Sequence, residues 1–246
     1  MAKYETLPNA PITEAILDIQ TSLPAQIALS DLQKLYDRIK KKYPEEEQRV
    51  SFESQIKLAL AEKKSTTTGM GKIDGYRFRS PIEGKVVQSR LDGFTFNKLK
   101  PYESWELFST EARKMWEYYR EVASPVRLNR VSLRFINRII IPFGTEIGEY
   151  FLTVPEISQS LPQVFRSFFL RLEVPDERNI SIGIIQMANQ PADENGLPII
   201  FDIDAIRNID ILPSDDKLWQ CFGELRDFKN HIFFNSLTHK ALEMFK

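Results

Sequence analysis

The segment RVSLRFINRIIIP, residues 130–142, carries the side chains with the clearest capacity for binding chemistry. It contains Arg130, Arg134, Asn137 and Arg138. Its alternating apolar residues predict a β-strand, in which residues two apart share a face. The three arginines then form a ladder over about 26 Å on one face, and Asn137 falls on the other face unless a bulge intervenes. Because guanidinium groups bind phosphate and carboxylate bidentately, the strand is a candidate anion site.

The same arginines also have a structural interpretation, in which acidic side chains inside the protein neutralise them. Asp202 and Asp204 in IIFDIDAI project to one face of another predicted strand, and Glu14 and Asp18 lie in the first strand. A buried arginine is normally paired, so we expect pairing for at least two of the three. Asp202 and Asp204 could instead act as acid and base or bind a metal, but no histidine or third acid accompanies them.

A second cationic group is expected on the predicted hairpin formed by GYRFRS and KVVQSR. Arg77 and Arg79 share one face of the first strand, and Arg90 follows on the second strand. If this hairpin joins the arginine strand in one sheet, the cationic face becomes wider. The alternative is an exposed edge, where charged side chains discourage pairing with other chains. The sequence does not decide between these two interpretations.

Composition excludes several classes of protein. The chain has 246 residues and a formal net charge of −1, which argues against general nucleic-acid binding. Its one cysteine, Cys221, fits a reducing compartment, and neither a secretory signal nor a membrane-length apolar run is found. HExxH, CxxC, Walker and GxSxG motifs are also missing from the sequence. We expect a cytoplasmic protein that uses no metal and no cofactor.

The order of predicted elements indicates an α+β fold made of two similar halves, residues 1–125 and 126–246, within one compact unit. Each half is predicted to have the order β-α-β(3–4)-α, with antiparallel sheets packed on long helices at residues 103–122 and 215–232. The apolar stripe from Trp105 to Val122 supports the first long helix. By topological analogy, the order is similar to the TATA-binding-protein-like and helix-grip folds, although a shared fold does not establish a function.

Several motifs resemble a sporadically distributed family of uncharacterised bacterial and archaeal proteins of similar length. They are NAPITEAILDI, DGFTFNKLKPYESWELF, RVSLRFINRIIIP and the tail FKNHIFFNSLT. The matching positions are Pro11, Glu14, Ala15, Phe94, Pro101, Tyr102, Trp105, Glu106, Arg130, Arg134, Asn137 and Arg138. The resemblance covers nearly the whole chain. It supports the fold prediction and implies no particular activity.

These observations favour a non-catalytic binding or interaction protein with an arginine-lined cleft that accepts an anion. Its predicted partner is another protein or a small anionic ligand, and a homodimer is compatible with this interpretation. The alternative is an enzyme acting on a phosphorylated or nucleotide-like substrate, with Asp202 or Asp204 as base or metal ligand. Nucleic-acid binding on a curved sheet is less favoured because the chain lacks a basic excess.

Overall fold

The fold is given by a computed structural model, which describes residues 4, 7–59, 64–163, 166–178, 180–214 and 216–246. Nine strands, five α-helices and a 3-10 turn at Ile147–Glu149 are assigned within these residues. The strands are β1 Ile12–Ser22, β2 Glu45–Ala59, β3 Lys64–Ser80, β4 Lys85–Arg90, β5 Gly93–Leu99, β6 Arg127–Ile141, β7 Phe169–Pro175, β8 Ile182–Asn189 and β9 Leu197–Ile211. The helices are α1 Leu29–Gln33, α2 Leu35–Ile39, α3 Trp105–Ala123, α4 Lys217–Ser236 and α5 His239–Glu243.

The nine strands of the described chain form one antiparallel sheet in the order β2-β3-β4-β5-β1-β6-β9-β8-β7. β1 and β6 are neighbours inside it and pair from Ile12 with Asn137 to Ser22 with Arg127. The prediction of two similar halves with their own antiparallel sheets is therefore wrong. Pairing of β1 with β6 satisfies backbone groups that would otherwise form two exposed edges. The division at residues 125 and 126 falls between α3 and β6 and stays a prediction.

The helices pack on one face of the sheet, where the apolar side chains of the strands are buried. Ala15, Leu17 and Ile19 alternate along β1 and are fully buried in the core that includes α3. Trp116 of α3 and Phe222 of α4 are fully buried in the same core. Because strand residues alternate, the polar residues between these apolar ones are directed to the opposite face of the sheet.

The amphipathic and alternating segments were predicted well, whereas one polar segment was not. The long helices predicted at residues 103–122 and 215–232 correspond to α3 and α4, and α4 continues to Ser236. The polar composition of residues 63–71 predicts a turn region, but from Lys64 onward the segment belongs to β3 and pairs with β2. Its composition does not reveal this pairing, because the hydrogen-bonding partner lies elsewhere in the sequence.

Gly75 of β3 lies so close to the backbone of β4 that no side chain fits there. A Cβ atom at this position would lie 2.3 Å from the carbonyl oxygen of Ser89 and 2.9 Å from Cα of Arg90. Since backbone must move, we expect Gly75→Ala to lower the free energy of unfolding by about 2 kcal/mol, measured with urea. Gly148→Ala is the control, because nothing lies within 4 Å of its Cβ position. Equal losses would contradict the prediction.

Candidate functional site

The sheet face opposite the helices carries the arginines predicted from the sequence, and we call it the polar face. It bears Glu14, Asp18, Arg77, Arg79, Arg90, Arg130, Arg134, Arg138, Asp202 and Asp204. Arg134 is held by Asp202 of the neighbouring strand β9. Its Nε donates to Oδ1 at 2.9 Å, and its Nη2 donates to Oδ2 at 2.5 Å. This bidentate hydrogen bonding raises the pKa of Arg134, so the guanidinium stays charged.

The two ends of the arginine ladder also lie beside carboxylates. Arg138 Nη2 donates to Asp193 Oδ2 at 2.6 Å. Arg130 Nη2 lies 3.7 Å from Asp18 Oδ1. The guanidinium groups of both residues stay partly exposed. An anionic ligand at this ladder would therefore compete with protein carboxylates, and anion binding by these arginines stays a prediction.

The arginines of the β3–β4 hairpin belong to the same sheet face, but only Arg77 and Arg79 lie at some distance from the ladder. Two strands, β5 and β1, separate β4 from β6, and the four strand spacings between β3 and β6 correspond to about 19 Å. Arg90 Nη2 lies 2.8 Å from Asp18 Oδ2, so Asp18 stands between Arg90 and Arg130. Arg79 Nη1 donates to Glu47 Oε1 at 3.4 Å. Arg77 forms no ion pair with any residue that the structure describes.

The candidate acids of the polar face accept hydrogen bonds from neighbouring strands. Ser132 Oγ donates to Asp204 Oδ1 at 2.6 Å, and burial raises the pKa of the Asp204 carboxyl. Asn97 Nδ2 donates to Glu14 Oε1 at 2.7 Å. Within the described ranges, no group of three or more His, Cys, Asp or Glu side chains is arranged to hold a metal. The residues therefore form a hydrogen-bonded network across the strands.

Asn137 lies on the opposite face of the sheet from Arg130, Arg134 and Arg138. It is buried on the helix side, where its Nδ2 donates to the carbonyl oxygen of Phe201 at 2.9 Å. This placement follows the strand alternation, which puts Asn137 on the face of Phe135. Asn137 therefore cannot act together with Arg134 and Arg138 on one ligand, and it lines a different site.

That site is a cavity of about 240 Å³ between the sheet and the helices, which we call the helix-side cavity. Segments distant in sequence enclose it, namely residues 7–12, residues 102–106, Phe135 with Asn137, and residues 226–234. Aromatic side chains form much of its wall: Tyr4, Tyr102, Trp105, Phe135, Phe233 and Phe234. Binding sites for small molecules are typically concave and apolar with a few polar groups, and this cavity has that character.

Lys229 of α4 is the most unusual polar residue of the helix-side cavity. Lys229 is only 8% exposed, and its Nζ lies 4.0 Å from the centre of the Phe135 ring. Burial, together with the smaller effect of the nearby Arg226 charge, lowers the pKa of the ammonium to about 7. Neither cation forms an ion pair with any described residue. Arg226 lies over the Trp105 ring instead, with 5.4 Å between Cζ and the ring centre.

The other ionisable groups at the helix-side cavity are the phenols Tyr4 and Tyr102 and the carboxyls Glu103 and Glu106. Glu103 Oε1 already lies 3.2 Å from Nζ of Lys98. Burial raises the pKa of Tyr102, so that this phenol is neutral at physiological pH. The cavity thus combines two cations that lack a carboxylate partner in the described chain with a largely aromatic wall.

The sequence prediction did not identify Lys229, although a signal was present. Lys229 follows Phe222 by seven residues and Leu225 by four, which places it within the buried stripe of α4. A lysine at such a position is rarely buried without a partner, so it marks a candidate site.

Comparisons with known proteins identify no family for this chain. No protein-family model matches the sequence, and no curated protein matches it. The resemblance to a bacterial and archaeal family consequently stays a prediction. In the part of the chain that the structure describes, no helix combines the length and the apolar character needed to cross a membrane. What the chain binds is therefore inferred from the geometry of its own residues.

Proposed function

We propose that the protein is a non-catalytic binding protein for a small anionic ligand, which occupies the helix-side cavity. The proposal rests mainly on the environment of Lys229. Its ammonium is buried beside Arg226 and has no carboxylate partner among the described residues. Burying an uncompensated charge is costly, and an anion in the cavity would neutralise it. The protein therefore keeps an unfavourable charge in a place where a ligand can make it favourable.

The wall of the cavity indicates the remaining character of this ligand. Tyr102, Trp105 and Phe233 offer aromatic surface, which favours a molecule with an apolar body attached to its charged group. The cavity volume of about 240 Å³ is below the range of drug-sized pockets, so a small molecule is expected. A monocarboxylate with a short aliphatic or aromatic body fits both properties.

This proposal retains the predicted class of ligand and moves its site away from the arginine strand. On the polar face, Arg134 and Arg138 already donate to Asp202 and Asp193, and these contacts favour a structural role. The enzyme alternative would require Asp202 or Asp204 to be available, but Arg134 and Ser132 already engage them. A cytoplasmic location and assembly as a homodimer are further parts of the proposal, and nucleic-acid binding remains less favoured.

A thermal-unfolding screen tests the proposal with benzoate, phenylacetate and their neutral amides. At about 100 times its dissociation constant, a bound carboxylate is expected to stabilise the protein by about 2.7 kcal/mol. The amides, which have the same bodies without the charge, are expected to stabilise it much less. Lys229→Met is expected to abolish the carboxylate effect.

Lys240→Met is the matched control, because Lys240 also lies over an aromatic ring, 4.7 Å from the centre of Tyr150, but outside the cavity. This variant is expected to respond to carboxylates as the wild type does. Stabilisation that is equal for acids and amides, or unchanged in Lys229→Met, would exclude an anion site at Lys229. A panel of small aliphatic and aromatic carboxylates that produces no stabilisation would also count against the proposed function.

A further inference from the structure

The amino group of Lys229 has the surroundings of a reactive amine as well as those of an anion-binding group. We propose that it attacks the carbonyl carbon of an α-keto acid whose carboxylate is held by Arg226, forming a reversible imine. This inference rests on the proposed function, because the keto acid would occupy the same helix-side cavity. It adds a covalent step and a narrower ligand class to that function.

The positions of the two cations on α4 suit such a ligand. Arg226 and Lys229 are three residues apart on one helix and both line the cavity. Residues at this spacing have Cβ atoms about 5–6 Å apart on the same helix face. In an α-keto acid the carboxylate and the carbonyl are directly bonded. A carboxylate at Arg226 can therefore leave the adjacent carbonyl carbon facing Lys229, while aromatic residues receive the rest of the molecule.

The protonation state of Lys229 favours this reaction. An ordinary lysine with a pKa near 10.4 has roughly one neutral amine in 2,500 at pH 7. With its pKa lowered to about 7, Lys229 is about half neutral at this pH. Arg226 is the charged group that acts on Lys229, and it opposes protonation. The other titratable groups that line the cavity are Glu103, Glu106, Tyr4 and Tyr102. Lysines desolvated beside a second cation are activated in this way.

The step is balanced without any further reactant. The Nζ lone pair forms a bond to the carbonyl carbon, and the carbonyl oxygen becomes the hydroxyl of a carbinolamine. Loss of that hydroxyl as water, with both protons supplied by the nitrogen, leaves the C=N bond of the imine. Nothing is oxidised or reduced, and addition of water reverses the reaction. The imine nitrogen can be protonated, and its positive charge is then matched by the ligand carboxylate.

Reductive trapping tests the inference on the full-length protein. The protein is incubated with pyruvate and cyanoborohydride, and the adduct is located by intact-mass measurement and peptide mapping. We expect one adduct per chain at Lys229, formed at pH 7 on the order of 1,000-fold faster than at any exposed lysine, in proportion to the neutral fractions of the amines. The rate at Lys229 is expected to level off above about pH 8, whereas rates at exposed lysines continue to rise.

Variants and a competing ligand test whether the adduct forms inside the helix-side cavity. Benzoate is expected to compete with adduct formation at Lys229, and Arg226→Gln is expected to slow it at least about tenfold. Lys229→Met should remove this adduct, while Lys240→Met should leave it unchanged. Thermal unfolding of each variant verifies that it is folded.

Two results would overturn the inference, and they are distinguishable. If adducts form only at exposed lysines while benzoate still stabilises the protein in a Lys229-dependent manner, the imine is rejected and the proposed anion site stands. If neither trapping nor carboxylate stabilisation depends on Lys229, the proposed function is rejected together with the imine.

Discussion

Replacing Arg134 by alanine is expected to lower the free energy of unfolding by about 3 kcal/mol. The side chain of Asp202 is 7% exposed and would lose the bidentate guanidinium that neutralises it. An uncompensated buried carboxylate is strongly destabilising. The Arg134 side chain is itself 38% exposed, so water can reach part of the vacated site. The expected loss of stability therefore lies at the lower end of the range observed when one partner of a buried ion pair is removed.

Arg171→Ala is the matched control for this prediction. Arg171 belongs to β7 of the same sheet and pairs with Glu173, and both side chains are far more exposed than Asp202. Exposed ion pairs contribute about 0–1 kcal/mol, so this variant should differ little from the wild type in urea unfolding. A double variant, Arg134→Met with Asp202→Leu, is expected to recover most of the lost stability, because no unpaired charge remains.

The same variants separate a structural role of Arg134 from an anion-binding role. If Arg134 organises the sheet, phosphate and nucleotides should stabilise the wild type no more than an equal ionic strength of chloride does. Phosphate stabilisation that disappears in a folded Arg134→Ala protein would contradict this expectation and restore the arginine strand as an anion site. Equal stability losses in Arg134→Ala and Arg171→Ala would contradict the importance of the buried pair.

Replacing Lys229 by methionine is expected to stabilise the unliganded protein, an unusual result for a core substitution. Methionine has a similar length and shape but needs no hydration, so it removes the cost of burying an ammonium beside Arg226. A pKa lowered from 10.5 to about 7 corresponds to a cost on the order of 5 kcal/mol. The variant recovers part of this amount, because the contact of the cation with Phe135 is lost at the same time.

The gain from Lys229→Met should depend on pH in a defined direction. Between pH 7 and pH 10.5 the unfolded chain binds more protons at Lys229 than the folded chain, so wild-type stability rises with pH in this window. Below pH 7 both states are protonated and the full cost of the buried charge remains. The difference in unfolding free energy between variant and wild type is therefore largest at pH 6–7 and decreases toward pH 10.

Urea unfolding from pH 6 to pH 10 measures this dependence, with Lys240→Met as the control. Lys240 is exposed and pairs with Glu149, which raises its pKa, so its removal should not reproduce the decrease between pH 7 and pH 10. A Lys229→Met protein that is less stable than the wild type at every pH would indicate a structural role for Lys229. Such a result would weaken both the anion site and the imine.

Local patterns in the sequence were sufficient to identify most elements. The alternation in residues 130–141 predicts the strand β6 and places Arg130, Arg134 and Arg138 on one face, as the structure has them. The apolar stripe of residues 103–122 likewise predicts α3. These predictions succeed because strand and helix periodicity are properties of neighbouring residues. The same alternation placed Asn137 on the opposite side.

Only the tertiary structure decided how these elements combine and which charges meet. Pairing of β1 with β6 joins the strands into one sheet, and the partner of Arg134 is Asp202 rather than its direct register neighbour Asp204. Lys229 is an ordinary cation in the sequence. Its pKa is lowered because the tertiary structure buries it next to Phe135, and the charge of Arg226 adds to this effect. Burial depends on chain segments that are distant in sequence, and local periodicity carries no information about them.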